Sequence, residues 1–131
     1  MSSNIIFMAL CLWREARGES VACRIAIAYV IMNRVLHPKW GWKSDIMQVI
    51  FMPMQFSSLT DPKDKQLTLW PASNDVQWLE CVKIAEQVVY GDAINPIGAA
   101  NHYYDISIPA PYWAKDSNFI IQIDNIKFYA L

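Results

Sequence analysis

From Ile5 to Trp13 the chain is almost wholly apolar, and it then turns abruptly charged at Arg14, Glu15, Arg17 and Glu19. That pattern predicts a first helix, capped by Asn4, whose apolar body runs into Arg14-Glu15-Ala16-Arg17 and stops at Gly18. Between Val21 and Val35 only Arg24, Asn33 and Arg34 are strongly polar. A second helix, capped by Ser20 and ending near Leu36 before Pro38, is therefore apolar nearly all round, as the buried central helix of a domain is. Ser44 or Asp45 starts a short third helix, with Asp45 and Gln48 at capping-box spacing and Pro53 closing it.

Residues 57–73 hold Asp61, Pro62, Lys63, Asp64, Lys65 and Pro71 and read as a long surface loop, a feature more often functional than accidental. A fourth long block runs from about Asp75 to Tyr90 and is stopped by Gly91. Its helical period puts Leu79, Val82, Ala85 and Val89 on the inner stripe and Glu80, Lys83 and Gln87 outside. Two short apolar runs, 119–123 and 126–129, flank Asp124-Asn125, a two-residue hairpin turn of the kind that tolerates positive φ. The fold class expected is α+β, mostly α: a single domain over residues 1–131 with a small C-terminal β-hairpin.

Composition narrows the classes. With 54% hydrophobic and 18% charged residues the chain is no disordered segment, and a net charge of -1 gives no general grip on nucleic acid or anionic lipid. The run 5–13 lacks a basic leader and a small-residue cleavage site, and the run 25–32 is far short of the ~20 residues that span a bilayer. Cys11, Cys23 and Cys81 are odd in number, show no CxxC spacing and sit at apolar helical positions, so they read as buried thiols that stay reduced. The expectation is a monomer made in a cytoplasm without a signal peptide, with no stable membrane association. Six Trp and six Tyr suit sugar rings, and they equally suit a core.

Among candidate chemistries, Glu15-Ala16-Arg17-Gly18-Glu19 is the most informative segment. A carboxylate where an apolar helix ends is partly desolvated, which raises its pKa towards the range of a general acid. On spacing alone the commoner reading is a solvated helix end, with Glu15 and Glu19 paired to Arg14 or Arg17. Gln55-Phe56-Ser57 offers an amide and a hydroxyl to N-acetyl groups. Asn101-His102-Tyr103-Tyr104-Asp105 concentrates hydrogen-bonding groups, and by itself equally suits a polar edge strand. For Trp113, core packing and sugar stacking both stay open. With two histidines, no HxxH or HExxH and no clustered glycines, the chain lacks a zinc peptidase site and a phosphate loop, and no metal or cofactor is expected. A Cys–His nucleophile would need a buried cysteine to meet His102 in an open cleft.

Taken together, these segments resemble the spore-cortex-lytic (SleB) type of cell wall hydrolase, also found as phage endolysins. The resemblance rests on Glu15-Ala16-Arg17-Gly18-Glu19, the helix Ile25-Ala26-Ile27-Ala28-Tyr29-Val30-Ile31-Met32-Asn33-Arg34-Val35 and Gln55-Phe56-Ser57. It continues through Ala100-Asn101-His102-Tyr103-Tyr104 and Pro111-Tyr112-Trp113-Ala114-Lys115 to Phe128-Tyr129. It implies a lysozyme-like fold related to goose-type lysozymes and lytic transglycosylases, with Glu15 as catalytic acid/base, and so displaces the solvated-end reading. It also implies that Tyr103 lines the cleft beside the scissile sugar, with Gln55, Phe56 and Ser57 on another wall, and that Asn33 is structural. Glu19, Asn101, His102 and Trp113 complete the expected substrate-binding set. One departure is plain: where the family shows a Gly-Asn-His-like stretch, Asp124-Asn125-Ile126 stands, so that histidine's role is absent or passes to His102.

The expected reaction is cleavage of the MurNAc–GlcNAc linkage of peptidoglycan. Glu19, four residues from Glu15, would share its face if the helix persisted, which makes it a poor nucleophile on the opposite side of the sugar. A lone acid suits a lytic transglycosylase. A hydrolytic muramidase on the same scaffold and a catalytically silent peptidoglycan-binding protein are the alternatives. The expected setting is an endolysin released by a holin partner.

Overall fold

The computed structural model describes residues 2–39, 41, 45–52 and 55–131. In chain order it contains α1 (Ser3–Ala16), α2 (Val21–Leu36), α3 (Ile46–Ile50), α4 (Ser57–Thr60), α5 (Val76–Val89), β1 (His102–Asp105), β2 (Phe119–Ile123) and β3 (Ile126–Tyr129). Short 3-10 turns occupy Lys65–Thr68 and Asp116–Asn118.

The helix starts follow side-chain capping. Ser2, not Asn4, caps α1, its hydroxyl accepting the Ile5 N–H at 3.3 Å; Asn4 already lies inside the first turn. Ser20 caps α2 through the Cys23 N–H at 3.1 Å, and Asp45 caps α3 through the Gln48 N–H at 3.1 Å. The alternative cap Ser44 and the closing Pro53 lie outside the described residues. Between α1 and α2, Arg17 turns extended and Gly18 takes φ +92, a conformation in which a Cβ would be strained.

α1 and α2 both pack on α5. The shared core takes Met8, Leu12, Ile27, Ile31, Cys81, Ile84, Ala85 and Val88, all buried, and the three cysteines are free thiols within it. Serving two helices shifts and broadens the inner face of α5 towards Cys81 and Ile84. Leu79, expected on the inner stripe, is 53% exposed, and Val89 is only half-buried. The polar residues of α2 are themselves buried and paired. Arg24 bridges to Glu80 at 3.3 Å, and the Asn33 amide donates to the carbonyls of Gly98 (2.9 Å) and Ala100 (2.8 Å). A buried amide that satisfies two loop carbonyls fixes the chain just before β1.

Residues 57–73 are not a continuous loop. They hold α4 and a 3-10 turn capped by Asp64, and buried Arg14 ties both ends to α1. Its guanidinium donates to the carbonyls of Ser58 (3.0 Å) and Leu69 (3.1 Å) and stacks 4.7 Å from the Trp70 ring. The C-terminal hairpin is present, with Asp124 at φ +52, and it has a third strand. β1 pairs antiparallel with β3, giving the order β1-β3-β2 with His102 opposite Tyr129. Asn101 locks that junction, exchanging side-chain hydrogen bonds of 3.0 Å with the Leu131 backbone.

Candidate active site

The last turn of α1 presents Glu15 to a cleft of about 710 Å³. Gln55, Phe56 and Ser57 line it from the segment entering α4; His102, Tyr103 and Tyr104 line it from β1. Trp113 and the Ile108, Pro111 and Tyr112 rim complete the wall, and Arg34 reaches in from α2. Glu15 is the lone carboxylate on this lining among the described residues.

Its surroundings favour the protonated form. Burial, and then the negative charge of Asp64, push the Glu15 pKa up to about 7. The Ser58 hydroxyl is the one neighbour that favours the carboxylate. That hydroxyl is itself buried and makes no well-formed hydrogen bond among the described residues, so its hold on Glu15 is loose. A carboxyl poised near neutrality can give a proton and take one back, which is what acid/base catalysis at a glycosidic oxygen requires.

Arg34 organises both walls. Buried in α2, it donates to the Asn101 carbonyl (2.8 Å) and to Gln55 Oε1 (2.9 Å), and its guanidinium lies 5.3 Å from the Phe56 ring centre. Burial lowers its pKa to about 10, so it stays a cation at neutral pH. Burial and Arg34 together press the His102 pKa down to about 4. His102 is thus neutral, with Nδ1 2.9 Å from Asn101 Oδ1. Burial and the charge of Glu15 raise the pKa of Tyr103, which keeps its hydroxyl a proton donor. Trp113 packs on His102 (4.8 Å between centroids), Tyr129 (5.5 Å) and Tyr104 (6.2 Å) while also facing the cleft. It therefore belongs to both the packing and the lining.

The structure thus brings together Glu15, Gln55, Phe56, Ser57, His102, Tyr103 and Trp113. Two expected residues stand apart. Glu19 does not line the cleft, because α1 ends at Ala16 and the turn through Gly18 carries it towards Asp124 and Asp105. Asn101 is buried behind the wall, its side chain spent on Leu131 and His102. Sequence reasoning missed Arg34, whose signal was a charge inside an apolar helix. It missed Asp64, whose oxygens accept from Ser57 Oγ at 2.7 Å and the Gln66 N–H at 2.8 Å. Asp105, at the end of β1, is not on the cleft lining and its charge falls on Glu19.

The family model for cell wall hydrolases matches residues 18–129. The chain belongs to the cell wall hydrolase family. The matched stretch begins after Glu15, so the case for that residue rests on the cleft and not on the match. Among curated proteins, the spore cortex-lytic enzyme of Halalkalibacterium halodurans is 29% identical over 114 residues, covering 85% of this chain and 30% of the relative. The chain thus matches about a third of the length of that relative. The catalytic domain of the germination-specific lytic transglycosylase SleB from Bacillus anthracis superposes with a TM-score of 0.74 at 27% identity, covering 98% of this chain and 96% of that one. The catalytic domain of Bacillus cereus SleB gives 0.74 at 26% identity, covering 96% and 88%. This cell wall hydrolase has the mainly helical, lysozyme-like fold of those catalytic domains.

Proposed function

We propose that this cell wall hydrolase cleaves the glycan strands of peptidoglycan at the MurNAc–GlcNAc linkage, as a lytic transglycosylase with Glu15 as its acid/base. The observation that carries the reading is a cleft with one carboxylate among the described residues, its pKa raised to about 7 by burial and then by Asp64. Protonated Glu15 gives its proton to the leaving glycosidic oxygen as the C1–O bond breaks. The resulting carboxylate then takes the proton of the sugar's C6 hydroxyl while O6 bonds to C1, closing a 1,6-anhydro ring and restoring the acid. A hydrolase of the paired-carboxylate type needs a second acid across the scissile bond. Asp64 is near enough to be felt by Glu15, yet it stands off the lining with both oxygens engaged by Ser57 and Gln66.

The substrate contacts follow from the lining. Gln55, Ser57 and Tyr103 offer hydrogen bonds to N-acetyl and hydroxyl groups, and Phe56, Trp113 and exposed Tyr112 offer flat faces to sugar rings. Glu19 and Asn101 act as supports of the turn and the strand junction, not as substrate contacts. One relative is a spore cortex-lytic enzyme and another is germination-specific, so the endolysin setting and a holin partner rest on the sequence resemblance alone. The test is digestion of purified peptidoglycan by the wild type and by Glu15→Gln. Release of soluble muropeptides by the first and not by the folded second supports the assignment; equal release by both overturns it.

A further inference from the structure

Away from the cleft, the α1–α2 turn meets the β2–β3 turn. Glu19 follows Gly18, Cys23 lies in the first turn of α2, and Asp124 heads the hairpin at φ +52. One carboxylate oxygen from Glu19, one from Asp124 and the Cys23 Sγ all lie within 4.8 Å of one another. Asp124 is held in place because its Oδ2 accepts the Ser20 N–H at 3.0 Å. Cys23 is fully buried, and its sulfur makes no hydrogen bond among the described residues although two carboxylates face it. Asp105 adds a third negative charge to both Glu19 and Cys23. The cation that reaches Cys23, Arg24, is bridged to Glu80 at 3.3 Å.

Without a bound cation this crowding is relieved only in part: burial, then the charges of Asp124 and Asp105, raise the Glu19 pKa so that it can hold a proton, while hydrogen bonds from Ser20 lower that of Asp124. A divalent cation would relieve it further. One sulfur and two carboxylates suit a borderline-soft ion of the zinc class, whereas magnesium and calcium take all-oxygen shells. Metal–ligand bonds of roughly 2.0–2.3 Å ask the three donors to close in by about 1 Å. Exposed Asp124 and half-exposed Glu19 have that freedom.

We propose that Glu19, Cys23 and Asp124 form a binding site for a zinc-class divalent cation that pins the α1–α2 turn to the hairpin turn, apart from the glycan cleft. Binding forms an M–S bond, expels the thiol proton and frees any proton held by Glu19, so affinity rises with pH. The site is independent of the glycan-cleaving reading.

The test is titration of the intact protein with cadmium ion, followed by the ultraviolet cadmium–thiolate charge-transfer band and by Tm, with zinc as competitor. The expected result is one equivalent bound with a raised Tm, and a band that zinc abolishes and that strengthens as pH rises. Cys23→Ser should remove the band. Asp124→Asn, which tolerates positive φ and leaves the buried thiol in place, should weaken affinity by at least ~10-fold and serves if Cys23→Ser fails to fold. No band in the wild type would mean that Glu19 merely holds a proton, and would overturn the proposal. So would a band that survives Cys23→Ser, or one whose midpoint Asp124→Asn leaves unchanged.

Discussion

Two glutamates four residues apart in one sequence block occupy opposite kinds of site. Glu15 ends α1 inside the cleft, with Arg34 and Tyr103 on the same lining and Asp64 behind. Glu19 lies past the helix end, on the turn that faces Asp124 and Asp105. Both pKa values are raised, first by burial and then by neighbouring carboxylates. The neighbours differ in what they permit. Asp124 and Asp105 crowd Glu19 on an open turn, where a carboxylate oxygen of Asp124 lies within 4.8 Å to compete for its proton. Among the described residues Glu15 faces one loosely placed serine hydroxyl, which leaves its proton available to a bound substrate. The break that separates them is local: one extended residue and one glycine at φ +92 are enough to send two identical side chains into different chemistry.

The largest effect should come from removing the proton on one side of this comparison. Glu15→Gln is expected to lower lysis by ~10² or more with the circular-dichroism spectrum unchanged, while Glu19→Gln costs little. Full activity in Glu15→Gln beside a dead Glu19→Gln would invert the assignment.

The pH dependence separates the two sites next. In the proposed mechanism the reactive form has Glu15 protonated, so kcat/KM should be level below about 7 and fall with pH above it, towards tenfold per unit. The same shift acts on stability. The folded pKa stands above the ordinary 4.5, so this contribution is complete below 4.5 and is lost as pH rises through about 7. Glu15→Gln should therefore raise Tm at pH 8 and change it little at pH 4, measured by thermal melts at both. An alkaline limb that persists with a residually active Glu15→Gln would assign the titration to another group.

A third step probes what holds the cleft together. Arg34→Lys cannot reach both the Asn101 carbonyl and Gln55, and leaves a buried acceptor unpaired, at a cost of about 1–3 kcal/mol. The expected readouts are a lower Tm and a higher KM; an unchanged Tm would show that neither bond contributes.

The smallest and most local effects concern the aromatic wall. Tyr103→Phe removes one hydroxyl and should slow turnover by about tenfold with little change in Tm, the worth of one hydrogen bond near a charge. Trp113→Ala should lower Tm as well as activity, because its ring packs on His102, Tyr104 and Tyr129. A Tyr103→Phe variant with the wild-type rate would remove that hydroxyl from the mechanism.

What could be read from the sequence follows the range of the forces involved. The bodies of α1, α2 and α5 and the hairpin at Asp124-Asn125 are written in local periodicity and turn chemistry, and they appear within a residue or two of expectation. Leu79 was misplaced because the inner face of α5 depends on two partner helices, which no single-helix period reports. The order within residues 57–73 depends on Arg14, whose bonds reach Ser58 and Leu69, 44 and 55 residues further along the chain. Of the site, Glu15 and the β1 cluster were visible as residue types in telling places. The separation of Glu19 turned on where one helix stops. Asn101 was misread because a polar side chain ahead of a strand looks the same whether it meets sugar or a carbonyl.

The most direct measurement is mass spectrometry of the muropeptides released from purified peptidoglycan, with and without borohydride reduction. A cleft with Glu15 as its lone carboxylate predicts ends lighter by one water than their hydrolysed counterparts and inert to borohydride. Reducible MurNAc ends as the main product would contradict it, and would mean that a second carboxylate reaches the scissile bond, with Asp64→Asn and Asp105→Asn the variants to identify it.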